Sequence, residues 1–169
     1  VLFLARQLGQ PAAVVGLVLA AGSAGGLVGA LTAGRWIRGL GQGRTVVVSL
    51  LATGPVALVL PLTTAGAGLA WFAVGMAAVA YGGVVYNVAQ VSFRQSVTPD
   101  RLLGRMNASI RFLVWGTIPV GGLLGGALGE LVGLRATLLV TAVGMVLCPV
   151  WLLASPLRTL RDLPAAAQA

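Results

Sequence analysis

Long apolar stretches dominate this sequence and leave it few ways to fold. Residues 11–34, 45–62, 66–92, 103–129 and 136–157 each run through about 18 residues or more with few or no charges. In hydrocarbon every backbone N–H and C=O must be paired, and at ~1.5 Å per residue runs of this length cross a ~30 Å layer as helices. Charged residues make up 8% of the 169, against roughly 25% in soluble domains. Mean hydropathy is +0.99. The expected fold class is therefore an all-α integral membrane protein, a polytopic helix bundle in a single transmembrane domain over residues 1–169.

The placement of the arginines predicts the topology. Cationic residues flanking short membrane loops are retained in the cytoplasm. The one long polar interruption, 92–111, holds Arg94, Arg101, Arg105 and Arg111, which is four of the eleven arginines. It reads as a cytoplasmic hairpin between two spans. Counting outward, Arg35, Arg38 and Arg44 fall on the same side, as do Arg158 and Arg161 in a cytoplasmic C-terminal tail, 158–169. Only Arg6 and Arg135 fall outside. The Thr63-Thr64-Ala65-Gly66 turn has no charge, as suits an outer turn, and Trp71 and Phe72 lie near it, where aromatic rings favour the interface. Residues 1–5 are too short to span, and read as the end of a truncated helix whose body precedes residue 1. A multi-pass protein of the bacterial inner membrane is the expected location.

The same composition removes several functional classes. A net charge of +8 would suggest nucleic acid in a soluble chain, but here the arginines cap apolar spans instead of forming a polar face, so no nucleic-acid partner is expected. The chain has no histidine and no lysine, hence no phosphate-loop lysine, no imidazole base and no histidine metal ligand. The lone Cys148 sits in an apolar run, as a small buried hydrophobe would. No enzyme, metal or cofactor is expected. The three acids, Asp100, Glu130 and Asp162, all stand at span ends, so a proton relay cannot be built from these residues alone.

Small residues recur at four-residue spacing in two spans: Gly22, Gly26, Ala30 and Gly34 in one, Gly121, Gly125 and Gly129 in the other. Such stripes let helix backbones approach closely in lipid, whether in a static contact or against a partner that moves. Gly25-Gly26-Leu27-Val28-Gly29 is echoed by Gly121-Gly122-Leu123-Leu124-Gly125 three spans later, and inverted three-span repeats are a feature of transporters.

Two segments resemble a known family. Gly34-Arg35-Trp36-Ile37-Arg38-Gly39-Leu40-Gly41-Gln42-Gly43-Arg44 is similar to the G-x-x-x-D-R-x-G-R-R loop of the major facilitator superfamily, with Gly34 and Gly41 matching and Arg44 one place beyond the closing arginines. Arg38 replaces the motif's acid and Gly39 its first arginine, so no aspartate latch is implied. From Val97 to Pro164 the chain resembles the last two helices of bacterial efflux members of that superfamily, through T-P-D-R-L-L-G-R-M-N-A-S-I-R and L-L-A-S-P-L-R-T-L-R-D-L-P. The resemblance implies the C-terminal six-helix half of a twelve-helix transporter, five full spans and the end of a sixth. It further implies a missing N-terminal half of the same protein as partner, a small-molecule substrate between the halves, and possible coupling to protons whose titrating acid lies in that other half.

Arg111 stands out without any resemblance. It lies six residues past Arg105, about 9 Å deeper along a helix. A charge at such depth is costly unless it faces water or a partner. Asn107, Arg111 and Trp115 share one helical face at four-residue spacing, and Asn87, Gln90 and Arg94 form a similar stripe across the hairpin. Together they are candidates for the inner mouth of a polar cavity contacting an anionic or aromatic solute, with the hydroxyls of Tyr81 and Tyr86 as further candidates. The alternative for Arg111 is snorkelling to the interface, and for the amides a bridge between helices. The expected function is a secondary transporter exporting small hydrophobic or amphipathic compounds by alternating access. The alternative is a membrane scaffold or assembly subunit that binds a partner through its glycine-rich faces.

Overall fold

Helix satisfies every backbone group of an apolar stretch internally, and nearly all of the chain adopts it in the computed structural model, which describes residues 2–64, 66 and 68–150. After a π-helical turn, Phe3–Gln7, come α1 (Ala12–Leu40), α2 (Gln42–Ala57), a 3-10 turn Leu60–Leu62, α3 (Gly68–Val97), α4 (Asp100–Leu131) and α5 (Leu134–Leu147). Among the described residues, α1, α2 with its 3-10 extension, α3 and α4 are long and apolar enough to cross a membrane. The described part of α5 has 14 residues, and 151–157 of the expected fifth span lie outside the described residues with the tail 158–169.

The corners are tighter than the polar segments suggest. Residues 34–44, expected as a loop, are helical at every position but Gly41: Gly34 and Arg38 belong to α1, and Arg44 to α2. Single glycines cost a helix only about 1 kcal/mol each, so α1 continues through Gly34 and Gly39. It stops at Gly41, whose φ of +85° L side chains avoid. Gly41 N–H still donates to the Ile37 carbonyl, while its own carbonyl accepts from both Thr45 N and Thr45 Oγ1. The 92–111 hairpin likewise reduces to Thr98-Pro99, between α3 and an α4 whose first turn holds Asp100, favourably placed for the helix dipole. Ser96 Oγ lies 3.2 Å from Gln42 Oε1, so both corners occupy one end of the bundle.

The other end is tied by Arg135. Its Nη2 donates to the Thr63 carbonyl at 2.6 Å, and its guanidinium carbon stands 6.0 Å from the centroid of the Phe3 ring. Phe3 stacks on Phe72 and joins Leu4, Val15 and Val18 in a buried cluster, so of the expected helix end at 1–5 the residues from Phe3 onward form a helical turn packed into the bundle.

The packing centres on α3, which receives α1 along one side and α2 along another. Gly25 and Gly29 form the closest approach: a Cβ on Gly25 would collide with the Ala77 carbonyl, and one on Gly29 would stand 2.7 Å from the Tyr81 carbonyl oxygen. The interhelical stripe is thus Gly22, Gly25, Gly29 and Ala33, rotated from the expected Gly22, Gly26, Ala30, Gly34. Gly22 and Gly26 meet Met76 and Val84 side chains at ordinary distances, and Ala30 is exposed. The spacing 22, 25, 29, 33 follows the 3.6-residue period, whereas a strict four-residue repeat drifts off a straight helix's face.

α4 differs from the rest. None of its residues is buried, and among the described elements its main packing partner is α5. Gly121 and Gly125, expected as packing residues, have nothing within 4 Å of a built Cβ, and Gly129 meets only Leu134 Cδ2. Among the described residues nothing covers Gly121 and Gly125, and on its other side α4 leaves space between itself and α3.

Candidate functional site

That space is a cavity of ≈ 470 Å³ between α3 and α4. Asn87, Gln90 and Arg94 reach it from α3, and Asn107, Arg111 and Trp115 from α4, with Val91, Ile110 and Val114 between them. All six polar or aromatic residues singled out by helical spacing therefore meet in one place. Spacing of three and four keeps each trio on one face, and the short Thr98-Pro99 turn sets the two faces opposite each other. Tyr86, a further candidate, does not line this cavity. It precedes Asn87 by one residue and is turned about 100° around the helix from it.

Electrostatically the cavity is one-sided. Among the described residues two guanidinium groups line it and no carboxylate does. Arg94 Nε and Nη1 are buried from solvent without a hydrogen-bond partner, an arrangement that polar groups rarely tolerate. Arg111 is exposed on α4, and Trp115, one turn further on, is 69% exposed. Pro119 lies four residues past Trp115 and cannot donate to that residue's carbonyl, so one backbone acceptor there is also free of its helical partner. The site offers planar cationic donors, three amides and an indole face, a set suited to holding a solute by hydrogen bonds and stacking.

A second cavity, ≈ 190 Å³, lies between α1, α2 and α3. The three α2 hydroxyls on its wall bond back along the chain: Thr45 Oγ1 donates to Gly41 O, Ser49 Oγ to Thr45 O, and Thr53 Oγ1 to Ser49 O. Tyr81, expected as a cavity residue, lines this second cavity and not the first, and its hydroxyl accepts from Trp36 Nε1 at 2.6 Å and from Thr32 Oγ1 at 3.0 Å. Sequence reading missed this α1–α3 clasp, since Thr32, Trp36 and Tyr81 lie far apart in the chain and only the glycine contact brings them together. Arg38 Nη1 folds back over Gly34, 3.4 Å from where a Cβ there would stand, and Arg44 is exposed on the first turn of α2.

The profile of the Major Facilitator Superfamily matches residues 1–168. No curated protein and no solved structure gives a significant match. The match spans every described helix, including the α3–α4 pair that encloses the cavity, and the chain accordingly belongs to the Major Facilitator Superfamily of membrane transporters.

Proposed function

We propose that this chain forms the C-terminal six-helix half of a secondary transporter that exports small hydrophobic or amphipathic compounds by alternating access. The observation that carries the reading is the cavity between α3 and α4, where polar side chains from both helices converge inside surfaces that are otherwise apolar. A lone scattered amide serves helix packing, but six groups on two facing stripes make a solute path. The unburied length of α4, with Gly121 and Gly125 uncovered, is the face on which another bundle would rock. The protein would sit in a bacterial plasma membrane, and the arginine bias supports a C-terminus in the cytoplasm. Asp100 and Glu130 stand at the two ends of α4, so if export is driven by protons the titrating carboxylate comes from the other half.

The test is initial export rate from vesicles containing the complete gene product, normalised to folded protein, for the unmutated protein, Arg111→Lys and Arg111→Ala. A cavity role predicts a large loss for alanine and partial rescue by lysine, whose ammonium lacks the planar fork. Equal rates for all three would remove Arg111 from the path, and absence of any export across a panel of hydrophobic and amphipathic compounds would overturn the transporter reading.

A further inference from the structure

We infer that the α3–α4 cavity is an anion site, which holds the carboxylate, sulfonate or phosphate group of an amphipathic solute while the solute's flat apolar part lies on Trp115. The inference depends on the transporter reading only in treating the occupant as cargo; the site itself stands on its lining. Arg94 and Arg111 place two permanent positive charges on the wall, and no acidic side chain accompanies them. Arg94 Nε and Nη1 are buried without a hydrogen-bond partner among the described residues, so these donors are already desolvated. Unpaired buried donors are costly, and the arrangement is completed by a ligand that supplies acceptors and negative charge together.

The remaining wall narrows the ligand class. Asn87, Gln90 and Asn107 add neutral donors and acceptors around the two guanidinium groups, and can follow anions of different shape. Trp115 provides the aromatic face, one helical turn from Arg111. At ≈ 470 Å³ the cavity falls in the range of small-molecule sites, roughly 300–1,000 Å³. A cationic amphiphile would meet two like charges there, and a neutral one would leave both guanidinium groups unanswered. The same chemistry is present in the headgroup of an anionic lipid, so free solute and lipid are the two sources to separate.

The experiment uses the complete gene product in phosphatidylcholine nanodiscs, titrated calorimetrically at neutral pH with 2-naphthoate, 2-naphthalenemethanol and 2-naphthylmethylammonium, with empty discs as the partition blank. Naphthoate is expected to bind saturably and at least about tenfold more tightly than the other two, from the worth of one charged hydrogen bond. Arg94→Gln and Arg111→Gln should each weaken naphthoate by about ten- to a hundredfold, the loss expected for a charge-assisted bond. Asn107→Asp keeps the side-chain volume and the donors of both arginines but offsets one of the two positive charges, and should weaken naphthoate by about tenfold or more while leaving the alcohol's affinity unchanged, a selective loss that a merely structural role for the arginines would not produce. Discs containing phosphatidylglycerol separate the sources: unchanged naphthoate affinity marks a solute site, and competitive weakening marks a headgroup site. Naphthoate affinity no better than that of the alcohol, or unaltered in both glutamine variants, would overturn the inference. Vesicle export distinguishes this from the transporter reading, since naphthoate binding without export of any compound would sink that reading and leave the anion site standing. Export of neutral compounds without naphthoate binding would do the reverse.

Discussion

Replacing Gly25 by alanine should destabilise the bundle, whereas the same change one residue later should not. A Cβ built on Gly25 stands 2.6 Å from the Ala77 carbonyl carbon and 2.7 Å from its Cα, a shortfall of roughly 1 Å against the ~3.5–4.0 Å that non-bonded carbons prefer. The obstacle is the backbone of α3, so no rotamer change relieves it. α1 and α3 must separate, and a gap of about 0.5–1 Å forfeits a quarter to a half of each dispersion contact along the interface. In lipid there is no hydrophobic effect between helices to compensate. Overpacking of this kind costs ~1–3 kcal/mol, here toward the upper end, and the better helix propensity of alanine returns about 1 kcal/mol. At Gly26 a Cβ would meet Val84 Cγ2 at 3.5 Å, an ordinary contact, so Gly26→Ala keeps the propensity gain at little cost. The two variants have identical composition and should differ by ~2–3 kcal/mol from these terms. The assay is unfolding of the purified protein in detergent micelles by stepwise addition of sodium dodecyl sulfate, followed by tryptophan fluorescence. Equal midpoints for Gly25→Ala and Gly26→Ala would refute the close α1–α3 approach.

Gly41→Ala should lower the same midpoint by about 1 kcal/mol, because an L residue is strained at φ +85°. Arg135→Met retains an apolar stem but strips the Thr63 carbonyl of its donor at the end of the bundle, and should cost ~1–3 kcal/mol in the same titration; an unchanged midpoint would show that the clasp is idle. Single cysteines at Thr64 and Gly133, with Cys148 replaced by serine, should react with an impermeant thiol reagent added outside intact cells, and one at Gln95 should not. Labelling at Gln95 with protection at the other two would invert the topology.

What the sequence conveyed well was whatever depends on periodicity and on the hydrocarbon's intolerance of unpaired backbone. Residues 12–34 and 103–129 could only be helices, and once α3 and α4 are joined by a two-residue turn, Asn87, Gln90 and Arg94 must face the same gap as Asn107, Arg111 and Trp115. The expected hairpin was too long because its polarity was read as loop: Arg94, Arg101 and Arg105 are good helix formers, and nothing between Ser92 and Thr98 breaks a helix. Glycine was the least legible residue. Gly25 and Gly121 begin matching G-G-L-x-G pentapeptides, yet a Cβ on the first would strike a backbone and one on the second would meet nothing. The difference lies in what stands opposite, Ala77 of α3 in one case and none of the described helices in the other, and a one-dimensional pattern does not encode the neighbour. The two stripes are for this reason unequal tests of the fold. Alanine at Gly25 probes a contact internal to the chain, while alanine at Gly121 should leave the isolated bundle's unfolding unchanged or slightly strengthen α4, and any loss it causes in the complete protein reports a surface contributed from outside these helices.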